Sequence, residues 1–159
     1  MPRTAPLLPL FLTLAACASP PSGPAPTDPE PGDDAVSVRM LASHGWHLAE
    51  ATDASGSRVD ALFPDPATPM RLEFGEDRLA VSGGCNRLSA AYTLLDGTLR
   101  VGPVAQTKMF CGGGALMAAD EAMVARLSRP LAASLRGDRL VLSGADGGRL
   151  VLDGDAAAD

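Results

Sequence analysis

Ser82-Gly83-Gly84-Cys85-Asn86-Arg87 is the stretch on which the fold turns, because it interrupts an otherwise regular alternation of apolar and polar residues. Glycine and asparagine tolerate backbone conformations that other residues resist, and a glycine pair lets two segments approach closely or admits a bulge. Before it, Met70, Leu72 and Phe74 alternate with Arg71 and Glu73, Gly75-Glu76-Asp77 makes a turn, and Leu79 and Val81 resume the alternation. After it, Ala90, Tyr92 and Leu94 share one face, Asp96-Gly97 is a strong short-hairpin turn, and Leu99 and Val101 return. Two hairpins therefore flank the stretch. A second cysteine stands in a comparable setting, Cys111-Gly112-Gly113-Gly114, and the two places are expected to meet.

Further out, Trp46 and Leu48 alternate with polar neighbours, as a first strand with one buried face should. Pro64, Pro66 and Pro69 keep the segment before Met70 out of the middle of a sheet. Downstream the period changes. Leu116, Ala119, Met123, Val124 and Leu127 recur at spacings of three and four, which predicts an amphipathic helix from Ala115 to about Arg129, stopped by Pro130. Asp120 and Glu121 in its first half and Arg126 and Arg129 at its end suit the helix dipole. The hairpin theme then returns in Leu131/Ala133/Leu135, Leu140/Leu142 and Leu150/Leu152, separated by glycine-bearing turns. Short, regularly spaced strands predict an α+β fold, mostly antiparallel β: a curled sheet or open barrel of about eight short strands with one amphipathic helix packed on it. The domain is expected over residues 36–153, with 154–159 as a frayed tail.

A chain of 159 residues has room for one domain with a core plus appendages. Aromatic residues make up only 4%, so Leu, Val, Ala and Met must fill that core. The net charge of −6, with Lys108 as the single lysine, argues against a nucleic-acid partner, which calls for a basic patch. The N-terminus reads as an address. Arg3 is followed by a short apolar run, Pro6 to Leu14, too short to cross a bilayer as a helix. Leu14-Ala15-Ala16-Cys17 resembles the lipobox of bacterial lipoprotein signal peptides, which implies cleavage of residues 1–16 and lipidation of Cys17. Ala18, rather than Asp, resembles the sorting pattern for the periplasmic face of the outer membrane. Processing leaves 12 basic and 19 acidic residues, a mature charge of −7. From Cys17 to residue 35, the six prolines among Ser, Gly, Thr and acids describe a disordered linker that holds the domain off the lipid surface.

Taken together, Trp46 and Leu48, Gly83-Gly84-Cys85-Asn86-Arg87, Tyr92, Gly102-Pro103, Thr107-Lys108-Met109-Phe110-Cys111 and the helix from Ala115 resemble the META domain of HslJ-type envelope proteins and their lipid-anchored relatives. The likeness covers residues 40–153 and departs at Gly112, where many relatives carry proline. It implies a small β-rich fold with one helix, a role in envelope stress, motility or virulence, and no established enzymatic activity or cofactor. The expected function is a lipid-anchored, non-enzymatic binding protein of the envelope. The alternative is an inhibitor of an envelope-directed hydrolase, resembling the small lipoproteins that block lysozyme.

With Cys17 taken by lipid, Cys85 and Cys111 remain as a pair in an oxidising compartment, and a disulfide between them is expected. It would close a loop of 26 residues and stabilise the fold by roughly 3 kcal/mol. The plain alternative is two separate thiols. His44 and His47 could join the cysteines as a metal set, but their spacing of three does not suit one face of a strand, so no metal is expected. Asn86, Arg87 and Lys108 are the candidate recognition surface. Against that stands a structural role for Asn86 in a left-handed turn position, with Arg87 and Lys108 simply solvated. Of Met109 and Phe110, one is expected to pack inward and the other outward. Gly112-Gly113-Gly114 reads as a hinge. The domain is expected to be monomeric, with an envelope protein as its partner.

Overall fold

The computed structural model describes Met1 and residues 36–155; the expected signal peptide, the lipidation site Cys17, the linker to residue 35 and residues 156–159 lie outside them. After a short helix α1 (Val38–Ala42) come β1 (Gly45–Thr52), β2 (Arg71–Phe74), β3 (Arg78–Ser82), β4 (Leu88–Leu95), β5 (Thr98–Val101) and β6 (Ala105–Gln106). Helix α2 (Ala115–Leu127) precedes β7 (Leu131–Arg136), β8 (Arg139–Gly144) and β9 (Arg149–Gly154). The strand order β3-β2-β1-β9-β8-β7-β5-β4 closes on itself because β3 also pairs with β4. The curled sheet is therefore a closed antiparallel barrel of eight strands, with β6 as a ninth strand attached to β4.

A barrel of eight strands is just wide enough for side chains to fill. Trp46, Leu72, Leu79, Leu99, Leu140, Leu142, Leu150 and Leu152 are buried in it. The inward residues are those the alternation singled out, with one shift of phase. In β1 the register against β9 slips between Leu48 and Glu50, so the buried face passes from Trp46 and Leu48 to Ala51. A bulge makes that change without ending the strand. At the β4–β5 turn, Asp96 (φ 48°) and Gly97 (φ 68°) both take the left-handed conformation that a two-residue hairpin of this twist demands.

Successive strands run in opposite directions, so their connections sort to two ends. The short-turn end carries turns 75–77, 96–97 and 137–138 together with α1. The long-loop end carries segments 53–70, 83–87, 102–130 and 145–148, and α2 covers it with Ala119, Met123 and Leu127 buried. The helix stops at Leu127 with Ser128 as its cap, ahead of Pro130. The seam between β5 and β7, where the chain leaves for α2 and returns, is held by only two register pairs, Thr98–Ala132 and Leu99–Leu131.

Gly154 and Asp155, expected in the frayed tail, are held by the barrel. Gly154 belongs to β9 and donates to the Asp138 carbonyl at 2.7 Å, and the Asp155 amide donates to the Gly45 carbonyl at 2.8 Å. On the β7–β8 turn and on β1 these two amides find acceptors that solvent would otherwise have to supply.

Candidate functional site

The Ser82–Arg87 stretch and the loop before α2 meet at the long-loop end, where a disulfide joins Cys85 to Cys111 with Cα atoms 5.7 Å apart. Around it Asn86 is 9% exposed and uses its whole side chain. Its amide Nδ2 donates to Asp120 Oδ2 at 2.9 Å, and its Oδ1 accepts from Met109 N at 2.8 Å and Thr107 Oγ1 at 3.1 Å. The same Asp120 oxygen accepts from the Asn86 backbone N at 2.8 Å. Thr107 Oγ1 in turn accepts from Arg87 N, and Cys85 N donates to the Leu116 carbonyl. One asparagine thus ties the β3–β4 loop to α2 and to segment 107–109.

The glycines have specific reasons. Gly83 (φ 98°) passes under Pro69, whose carbonyl would lie 2.6 Å from a Cβ there. At Gly84 a Cβ would overlap Asp120 Oδ1, so only glycine lets the carboxylate reach Asn86. Asn86 itself does not take the left-handed conformation considered for it: among the described non-glycine residues only Asp96 has positive φ. As a buried connector it also stands apart from the surface formed by the other two candidates, because its polar atoms face Asp120, Thr107 and Met109.

Asp120 is the residue that the helical reading put to another use. It is 2% exposed and carries the knot, a role beyond the complement to the helix dipole read from the sequence. The period held a signal: residues 116, 120, 123 and 127 follow the stripe that faces the barrel, so an acid at 120 falls among apolar neighbours. A buried carboxylate calls for a donor pair, which Asn86 supplies.

Arg87 and Lys108 are exposed beside the knot, and among the described residues neither forms an ion pair. Met109 and Phe110 next to them are both exposed, at 60% and 87%, so neither packs inward. Alternation fails here because segment 107–110 is not a strand over the core: Asn86 and the disulfide hold its two ends on the rim. Gly112, Gly113 and Gly114 have nothing within 4 Å of where a Cβ would stand, so the loop projects clear of the barrel.

Below this rim the outer face of β2, β3, β4 and β6 forms a trough of about 740 Å³, within the range of ligand sites. Its floor follows from register: Glu73, Ala80, Ser89 and Ala105 lie side by side across the four strands. Ser82 and Arg87 border the floor on the rim side, with Gln106 at the far wall. The small outward side chains keep the floor low while Glu73 and Arg87 raise its sides. Arg71 also lines it, but its Nη1 donates to Asp155 Oδ2 at 2.9 Å, toward β1. Its Nε also lies 3.0 Å from Glu73 Oε1, which engages the carboxylate. Arg87 is therefore the cation available to a ligand, and Ser82 and Ser89 are the hydroxyls. Ala80 and Ser82, small residues alternating with the buried Leu79 and Val81, were the visible trace of this face.

His44 and His47 do not converge on the cysteines. The His44 ring packs against Trp46 at 5.3 Å between centroids, and His47 Nε2 lies 2.8 Å from Asp155 Oδ2. His47, Arg71 and Asp155 form a half-exposed latch joining β1, β2 and the end of β9.

Several solved structures share this architecture. An NMR structure of a protein from Burkholderia xenovorans superposes with a TM-score of 0.65 at 22% identity, over 85% of this chain and 98% of that one. A second NMR structure gives 0.56 at 26% identity, over 74% and 94%. A crystal structure of a DUF4847 family protein from Bacteroides vulgatus gives 0.53 at 11% identity, over 76% and 98%, a likeness of fold alone. Among curated proteins no sequence matches. The META domain model matches residues 39–157, which takes in every strand, both cysteines of the disulfide and the Asn86–Asp120 pair. On that match the chain belongs to the META domain family.

Proposed function

We propose that this META-domain chain is a lipid-anchored, non-enzymatic binding protein of the bacterial cell envelope, held by Cys17 at the periplasmic face of the outer membrane. It recognises an envelope protein through the trough and the rim that carries Arg87 and Lys108. The observation that supports this reading is the trough itself, about 740 Å³ on the outer face, next to a cation with no ion-pair partner among the described residues. Its floor of short side chains admits another chain close to the sheet, and its walls offer the Arg87 guanidinium and the Ser82 and Ser89 hydroxyls for orientation. The knot behind it fixes the rim, which lowers the ordering cost of binding. The lipid anchor is supported by the Leu14-Ala15-Ala16-Cys17 sequence.

The test is photo-crosslinking in the native envelope from a reactive residue at position 105, with mass spectrometry of the product. A discrete protein adduct that weakens on Arg87→Glu supports the reading; the absence of any adduct sinks it. The inhibitor reading has one observation in its favour, the excess of 19 acidic over 13 basic residues, which complements a basic hydrolase. Undiminished lysozyme activity in the presence of micromolar protein removes it.

A further inference from the structure

We infer that the Lys108-Met109-Phe110 tip is a second membrane contact, inserting its two apolar side chains into the headgroup region of an anionic bilayer. Four observations meet there. Met109 and Phe110 are exposed although large and apolar, and they are neighbours on one projecting loop. The base of that loop is fixed by the Cys85–Cys111 disulfide and by the Met109 N to Asn86 Oδ1 bond, so the side chains are presented outward without an ordering cost. The glycines on its other side stand clear of the barrel, so nothing in the domain covers the tip. Lys108 and Arg87 flank it without ion-pair partners among the described residues, in a chain whose net charge is −6.

Two side chains are too few for the core of a stable protein interface, which draws on about 20 to 30 residues a side. They suit an interfacial lipid contact, where a small apolar group and a few cations add to another anchor. Charge complementarity selects the lipid: the acidic body is repelled by an anionic surface and the tip is attracted, so only this end approaches. The tip lies at the long-loop end, whereas the chain enters the barrel at the short-turn end. The 18 residues from 18 to 35, if extended, span about 56 Å, against about 27 Å for the eight-residue β1. A lipid on Cys17 therefore leaves enough chain for the tip to reach the same bilayer, with the trough turned sideways along it.

The contact shares Arg87 with the trough, so its test substitutes only the apolar tip, and it uses no acylation. The chain from residue 17 onward with Cys17→Ser is floated with vesicles of phosphatidylglycerol and phosphatidylcholine, and with phosphatidylcholine alone. The expected result is about tenfold more association with the anionic vesicles, declining with salt, and about a tenfold drop for Met109→Ser/Phe110→Ser. Both side chains are exposed, and buried Trp46, the single tryptophan, reports that the variant is folded. A soluble chain that ignores anionic vesicles, or a doubly substituted chain that floats equally well, overturns the proposal. So does a Phe110-dependent protein adduct without vesicle binding, which assigns the tip to a protein. Whether Cys17 is acylated is read separately, from the mass of the membrane-fraction protein.

Discussion

At the short-turn end of the barrel, Trp46 fills the mouth and its indole N–H donates to the Leu41 carbonyl at 2.8 Å, while three turns of two or three residues close the rest. Tyr92 adds an edge contact to Phe74 and a bond from its hydroxyl to the Gly75 carbonyl at 2.6 Å. At the long-loop end the 145–148 turn closes on itself, Gly144 N donating to the Gly148 carbonyl at 2.8 Å, but segments 83–87 and 102–114 depend on one residue pair, Asn86 and Asp120, with the Cys85–Cys111 bridge beside it. The first end is built from local contacts that back one another up. The second concentrates its order at a single knot, and that order fixes both the trough wall and the projecting tip.

The contrast can be broken or sharpened by substitution. The largest expected loss is at the short-turn end: Trp46→Ala removes the fully buried plug and costs about 3 to 5 kcal/mol, read from the urea midpoint. Removing the bridge with Cys85→Ser/Cys111→Ser is expected to cost about 3 kcal/mol. The loss is to appear at the other end, as faster amide exchange in 107–114 than in the hairpin turns. Asp120→Ala leaves two buried Asn86 donors unsatisfied and is expected to cost about 2 kcal/mol. Asp155→Ala, which opens the half-exposed latch to His47 and Arg71, is expected to cost under about 1 kcal/mol. If Asp155→Ala proves the more damaging of the two acid substitutions, order is not concentrated at the knot and the comparison fails.

The smallest effect is confined to alkaline pH. Burial, and next the charge of Asp77, raises the Tyr92 hydroxyl above the usual phenol range. A group with a raised folded pKa contributes stability that is complete below its unfolded pKa and is lost as pH climbs through the folded one. Wild type is therefore expected to lose stability with pH above the phenol range more steeply than Tyr92→Phe, while the pH dependence of both is parallel near neutrality.

What was legible in the sequence follows the same division. Hairpins at 75–77 and 96–97, the helix from Ala115 and the inward leucines are periodic signals between near neighbours, and the structure has them all. Closure of the curled sheet was not legible, since it rests on β1 meeting β9 from the far end of the domain and β5 meeting β7 across α2, contacts no local pattern encodes. Nor was the work of Asn86. Its partner lies 34 residues away on a helix, and a side chain that satisfies three segments looks the same in sequence as one in a surface turn. Met109 and Phe110 misled for a related reason: alternation predicts faces only where a strand lies on a core, and this segment is held at the rim by its ends.

The β1–β9 seam also sets an order of events during synthesis. β1 is the first strand to be made, and one of its two edges has no partner until β9, the last, is available. Local hairpins can form early, but the cylinder cannot close until β9 is made, and any product cut before Arg149 keeps an open edge. Such long-range pairing makes folding slow relative to that of a helical domain of the same size. A polypeptide wired this way keeps one edge of its first strand unpaired until its last strand exists, and only then has a continuous outer face.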